Sequence, residues 1–140
     1  MINFTVYGNP FGWQRAGQNR QTGAVYTQPK TKSTEELIAW EYRRRYKDLM
    51  FPAKTPLCLY VDAYIPIPKS TPRRTQAKMI TGEIRPIVKP DWDNLGKLVS
   101  DALNAVAYDD DKCIIEARVR KYYSETPRTE ITIKEFAPPA

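Results

Sequence analysis

The chain is arranged around one stretch, which reads KPDWDNLGKLVSDALNAVAYDDD from Lys89 to Asp111. Apolar side chains recur in it from Leu95 onward at the spacing of one face of an α-helix, so the stretch predicts a helix packed on a core. Because Lys89 precedes a proline, the residues just before that helix should be extended. The predicted order is therefore an extended segment, a helix and an acidic turn.

Carboxylates stand at both ends of the predicted helix. Asp91 and Asp93 lie in the extended segment, where residues two apart point to the same side. Lys97 follows about one helical turn later, and Asp109–Asp111 come where the helix should end. Two carboxylates about 4 Å apart repel by roughly 4 kcal/mol at an effective dielectric near 20, and a bound divalent cation would remove that repulsion. The pattern favours a divalent-metal site that hydrolyses a phosphodiester.

The same residues also allow a purely structural interpretation. Asp93 would serve as the helix N-cap, and Asp91 would favour the positive end of the helix dipole. Lys97 would pair with Asp101 one turn further on, and Asp109–Asp111 would form a solvated turn. The residues alone leave both interpretations open.

The 140-residue chain contains no histidine. This excludes Ser-His-Asp and Cys-His catalysis as well as histidine-ligated zinc. Cys58 and Cys113 cannot complete a structural zinc site and are expected to be reduced, buried thiols. Any hydrolysis must use carboxylates, lysine, tyrosine or bound metal, which favours oxygen-ligated ions such as Mg²⁺ or Mn²⁺.

The net charge of +6 is unevenly distributed. Residues 1–90 carry 15 Lys and Arg against 6 Asp and Glu, whereas residues 91–112 carry 2 against 6. An acidic island in a basic chain suggests metal ligands within a phosphate-binding surface, and the alternative is a basic surface that only aids solubility. Candidate DNA contacts are the basic residues of the irregular segments before the acidic stretch: Arg15, Arg20, Lys30, Lys32, Arg73, Arg74 and Lys89.

Alternation of apolar and polar residues predicts four strands, at residues 2–7, 57–65, 113–121 and 129–136. The third strand should place the alternate residues from Cys113 to Val119 on one apolar face. The turn at Ser124–Pro127 is expected to join the last two strands as a hairpin.

Two further helices are predicted, one from Ser33 or Thr34 to about Met50 and a short one at residues 73–80. The expected fold is a single α+β domain over residues 1–140, with about four strands in a mixed or antiparallel sheet covered by two to three helices. No apolar run approaches the roughly 18–20 residues that span a bilayer, and no secretory signal is present, so a cytoplasmic protein is expected.

Three segments of the acidic stretch form a specific combination: Lys-Pro-Asp-Trp-Asp-Asn-Leu-Gly-Lys at 89–97, Asp-Ala-Leu-Asn at 101–104 and Tyr-Asp-Asp-Asp-Lys-Cys-Ile at 108–114. Together they resemble the RusA family of Holliday-junction resolvases, over about residues 89–116. The resemblance implies a homodimeric, Mg²⁺-dependent endonuclease, often encoded by phages or prophages, that nicks four-way DNA junctions symmetrically. Mn²⁺ could replace Mg²⁺, and no small-molecule cofactor is implied.

The resemblance also assigns roles. Asp91 and Asp93 are implied to be metal ligands, and Asp111 the third catalytic carboxylate. Lys97 is implied to be the catalytic lysine. Asp110 is a neighbouring candidate ligand, because three consecutive aspartates occur where the family pattern needs two. The basic loops match no motif of the family.

Two other classes of function stay open. One is a non-catalytic DNA-binding module in which the aspartates are structural helix caps. The other is a metal-dependent hydrolase of nucleotides, for which the chain offers no glycine-rich phosphate loop.

Overall fold

Six strands and three α-helices follow one another along residues 1–140, all of which are described in the computed structural model. The strands are β1 (Ile2–Tyr7), β2 (Gly17–Gln18), β3 (Val25–Tyr26), β4 (Leu57–Pro66), β5 (Ile114–Ser124) and β6 (Arg128–Glu135). The helices are α1 (Pro29–Tyr46), α2 (Arg73–Ile80) and α3 (Trp92–Leu103). The predicted α+β class is confirmed, with a four-stranded mixed sheet, three helices and a small two-stranded sheet of β2 and β3.

The main sheet has the strand order β1-β6-β4-β5. β6 runs antiparallel to both β1 and β4, whereas β4 and β5 are parallel. A parallel pair needs a crossover connection, and the segment that contains α2 and α3 provides it. β5 lies at the edge of the sheet, and β6 pairs on the other side of β4, between β4 and β1. The predicted hairpin at Ser124–Pro127 is therefore wrong, since that turn carries the chain past β4.

A β-bulge near the start of β5 changes which side chains face the core. Ile114 pairs with the first residue of β4 and Glu116 with the second, so Ile115 is the extra residue. Ile115 is 55% exposed. The prediction of one apolar face over residues 113–119 is wrong, because an extra residue inverts a pattern whose period is two.

α3 carries the predicted apolar stripe, whose buried members are Leu95, Leu98, Val99, Ala102 and Leu103. The helix begins two residues before the predicted start at Asn94 and ends three residues before Val106. It ends early because Ala105 adopts a left-handed conformation with φ 62°, and its N–H donates to the carbonyl of Tyr108 rather than continuing the helix.

α1 begins earlier than predicted. Its first residue is Pro29, a favourable first helical position for proline, instead of Ser33 or Thr34. The hydroxyls predicted to cap the helix donate instead to the carbonyl of Lys30 inside it. The helix ends at Tyr46 rather than Met50, whereas the bounds of α2 match the prediction.

α1 and α3 pack together over one face of the main sheet, where alternate residues of β1, β4 and β6 are buried. Both cysteines are unpaired; Cys58 is buried as expected, but Cys113 is only half-buried. None of the three helices combines the length and hydrophobicity needed to cross a membrane. Because α3 packs on the sheet through its apolar stripe, its charged side faces solvent.

Candidate active site

The carboxylates at the start of α3 are exposed and are not used as ordinary helix caps. Asp91 occupies the N-cap position in an extended conformation, yet its side chain makes no capping hydrogen bond. Asp93 lies inside the first turn, and its Oδ1 accepts only the N–H of its neighbour Asn94, at 3.0 Å. The structural interpretation that made Asp93 the N-cap is therefore wrong. Both carboxylates face solvent at the positive end of a helix dipole.

Lys97 lies one turn further along the same side of α3. Its Nζ is 3.4 Å from Oδ2 of Asp101, which is the predicted pair. The ammonium also lies 4.9 Å from the centre of the Trp13 ring, within range of a cation–π interaction. Asp93, Lys97 and Asp101 are spaced by four residues each, so they form one charged ridge along the helix.

The loop between β1 and β2, called the wall loop below, lies beside this ridge. The N–H of Trp13 donates to the carbonyl of Asn94 at 2.9 Å. A Cβ on Gly12 would lie 3.0 Å from Cβ of Pro90 and 3.1 Å from that of Asn94, so the close approach favours glycine. The loop and the start of α3 enclose an open hollow of about 330 Å³ that is also lined by Asp91. The contact between Trp13 and Asn94 is tertiary and was not predicted from the sequence.

A second acidic group lies beyond the end of α3. Asp110 accepts the N–H of Lys112 at 2.9 Å, and this hydrogen bond lowers the pKa of the Asp110 carboxyl. Burial raises the pKa of Asp111, and a hydrogen bond with Asp110 and repulsion by Asp110 and Asp101 raise it further. The positive charge of Lys97 lowers the pKa of Asp111. Asp111 is thus coupled to charges on the far end of the ridge.

Two residues to which the sequence assigned no role lie near the second acidic group and the ridge: Tyr108 and Glu35. The hydroxyl of the buried Tyr108 donates to the carbonyl of Ser100 at 2.6 Å and fixes the acidic turn to α3. Glu35 on α1 has its pKa raised by burial and by repulsion from Asp101, and lowered by Lys97. No sequence pattern could have placed Glu35 here, because the α1–α3 contact is tertiary.

The structure does not bring the predicted metal ligands together as one set. Neither Asp91 nor Asp93 is among the groups that shift the pKa of Asp111. Asp93 and Asp101 are eight residues apart, or about 12 Å along a helix that rises 1.5 Å per residue. No group of three or more acidic or thiol side chains is arranged to hold a metal ion. The donors are carboxylate oxygens, which suit Mg²⁺ or Mn²⁺ chemically, but they form two partial sets with Lys97 between them.

The predicted DNA contacts are all exposed but are spread over the surface. Lys89 is the one that lines the hollows beside Asp91. Lys30 lies 5.4 Å from the centre of the Phe11 ring, near the wall loop. The other five are the exposed residues Arg15, Arg20, Lys32, Arg73 and Arg74.

Comparison with known families gives the class of this protein. Residues 7–134 match the family model described as endodeoxyribonuclease RusA. The class is that of an endodeoxyribonuclease, and the chain belongs to the RusA family. It is also 35% identical over 140 residues to the uncharacterized protein YqaN of Bacillus subtilis (strain 168), covering 97% of each chain. The RusA family acts on branched DNA junctions, and its nucleases are generally metal-dependent.

Proposed function

We propose that this chain is a Mg²⁺-dependent endodeoxyribonuclease that resolves four-way DNA junctions by paired phosphodiester hydrolysis. The observation that carries the proposal is that Asp91 stands at the N-cap of α3 without making a capping hydrogen bond. A carboxylate at a helix start whose oxygens have no internal partner keeps those oxygens free for an outside ligand. Membership in an endodeoxyribonuclease family supplies the reaction class.

Within this proposal, Asp91, Asp93 and Asp111 would hold the metal, with Asp110 as a neighbouring ligand. When bound, the ion supplies a water of lowered pKa and positive charge at the scissile phosphate. Because Asp91 and Asp93 are separated from Asp111 along α3, the complete ligand set would require movement of the acidic turn or of the side chains.

Lys97 would orient the scissile phosphate and neutralise charge that develops on it during hydrolysis. To reach a phosphate, its ammonium must leave Asp101. Exposed ion pairs of this kind contribute only about 0.2–1 kcal/mol, so the exchange costs little. Trp13 limits the directions in which the lysine can move, since the indole ring lies against the ammonium.

We further propose a homodimer, because paired nicks at a two-fold symmetric junction need two equivalent sites. The exposed basic residues would bring the DNA to each site by attraction to its phosphates. Of these, Lys89 is best placed to contact a phosphate near the cleavage position.

The test is the substitution Asp93→Asn, assayed on a four-way junction in Mg²⁺. We expect cleavage to fall on the order of a hundredfold or more, while junction binding measured in Ca²⁺ stays within about twofold of the parent. Asp48→Asn is the matched control, since Asp48 is also exposed and follows α1, away from the ridge. Cleavage by Asp93→Asn at the parental rate would show that the role assigned to Asp93 is wrong.

A further inference from the structure

Three large apolar side chains stand exposed directly beside the carboxylates at the start of α3. Ile87 is 97% exposed, Trp92 68% and Val88 51%. Single exposed apolar residues are ordinary, but these three line one hollow together. The other lining residues of this hollow are Lys89, Asp91, Asp93 and Lys121.

The segment that carries Ile87 is tied to β5 on both sides. Nε of Arg85 donates to the carbonyl of Lys121 at 2.6 Å, and the guanidinium stacks 3.8 Å from the centre of the Tyr122 ring. Nζ of Lys121 donates in turn to the carbonyl of Val88. The segment is therefore held in place with Ile87 projecting outward.

Two kinds of partner would cover these apolar side chains, a second protein subunit or a nucleotide, and the residues that line the hollow favour the nucleotide. A stable subunit interface buries roughly 1,200–2,000 Å² in total, far more than three side chains supply. It would also bury the two lysines and two aspartates of the hollow, which is costly unless each charge is paired. A nucleotide fits better, because its phosphate can meet Lys89 and Lys121, and a cation held by the two aspartates, while its base covers the apolar side chains.

We propose that Ile87, Val88 and Trp92 form an apolar wedge that stacks against unpaired bases at the branch point of a DNA junction. The inference rests on the proposed function and adds to it a basis for substrate selection. In an intact duplex the bases are paired and stacked, so an indole ring reaches them only at the cost of unstacking. At a branch point they can unstack, and apolar side chains inserted at such steps hold them apart. The wedge therefore selects branched DNA over linear DNA at the place where the strand is cut.

The first test compares affinities for a four-way junction and a linear duplex in Ca²⁺. Trp92→Ala should lower the ratio of the two affinities by roughly tenfold or more, since stacking of one base on an aromatic ring is worth about 1–3 kcal/mol. Ile87→Ser should lower it by a smaller factor, and Trp92→Phe should restore most of it. Trp40→Ala is the matched control, because Trp40 is 57% exposed on α1 and does not line the hollow.

The second test places 2-aminopurine at the branch point. Its fluorescence should change when the parent binds and should stay near the value of free junction with Trp92→Ala. An unchanged affinity ratio in both Trp92→Ala and Ile87→Ser would overturn the wedge. So would a shift of the free protein toward monomer in sedimentation experiments with these variants, which would assign the patch to a subunit interface.

Failure of the wedge differs from failure of the nuclease. If the parent cleaves junctions and Trp92→Ala keeps full selectivity for them, only the wedge proposal fails. If the parent does not cleave junctions in Mg²⁺, the proposed function fails. The 2-aminopurine fluorescence then still reports whether Trp92 stacks on a base.

Discussion

The two ends of α3 carry similar aspartates in opposite circumstances. At the N-terminal end, Asp91 has no side-chain partner and faces an open hollow. At the C-terminal end, Asp110 caps a turn and Asp111 is raised in pKa by burial and by its acidic neighbours. The first end is available to a ligand, whereas the second is engaged within the protein and held under electrostatic repulsion.

Lys97 connects the two ends, since it lies between them on the same ridge. It pairs with Asp101 and opposes the rise in the pKa of Asp111. The two ends therefore differ in the internal contacts of their carboxylates rather than in residue type: Asp91 is free to bind a ligand, whereas Asp111 is held against acidic neighbours whose repulsion a bound cation would relieve. Substitutions at each end of α3 and at Lys97 between them test this difference.

The largest effect is expected at the N-terminal end. Asp91→Ala should reduce Mg²⁺-dependent junction cleavage on the order of a hundredfold or more. Loss of a capping aspartate usually costs about 1 kcal/mol of stability, but Asp91 makes no capping hydrogen bond, so we expect a change of only a few tenths. Cleavage assays and urea unfolding measure the two quantities. A stability loss near 1 kcal/mol with cleavage intact would make Asp91 a structural residue.

A smaller effect is expected at the connection between the ends. Lys97→Met removes the ammonium but keeps the length and the apolar stem, and we expect cleavage to fall roughly tenfold to a hundredfold. Stability should change by less than about 1 kcal/mol, because the pair with Asp101 is exposed.

Lys78→Met on α2 is the matched control for this change, since Lys78 is exposed and outside the ridge. If the two variants lose the same small fraction of cleavage, Lys97 contributes only general positive charge. Measurement of cleavage against salt concentration separates that outcome from a role at the scissile phosphate.

The sequence predicted the parts of the fold that depend on local periodicity. The stripe from Leu95 to Leu103 and the alternation in β1 and β4 are each set by neighbours along the chain, and the structure has both. The hairpin at Ser124–Pro127 failed because pairing of β6 depends on where the crossover placed β5. A short turn between two strands does not by itself show that they pair.

The same distinction applies to the site: contacts set by helical spacing were predicted, and contacts between distant segments were not. The Lys97–Asp101 pair follows from helical spacing and was predicted, whereas the N-cap position is occupied by Asp91 rather than by the predicted Asp93. The contacts of Trp13 and Glu35 with the ridge join segments far apart in sequence, and no spacing reveals them. The wedge was missed for another reason: exposure is a property of the folded surface, so Ile87 looked like any apolar residue in an irregular segment.

The smallest change is a change in stability at the C-terminal end, which is separate from the loss of cleavage expected of Asp111 as a proposed metal ligand. The pKa of Asp111 is raised in the folded state, so the folded protein holds that proton more tightly than the unfolded chain does. The stability this carboxyl contributes is present below its unfolded pKa of about 3.9 and is lost as the pH rises through its folded pKa.

Asp111→Asn should therefore stabilise the protein near pH 7, where the parent carries the repulsion among Asp111, Asp110 and Asp101. Asp111 is half-buried and still screened by solvent, so we expect a rise in Tm of only about 1–2 °C. The gain should shrink as the pH is lowered toward 4, because the parent carboxyl then becomes protonated. Asp109→Asn is the matched control in the same turn. A gain that is equal in the two variants, or that persists unchanged at pH 4, would mean that the repulsion on Asp111 does not distinguish this end of α3 from the other.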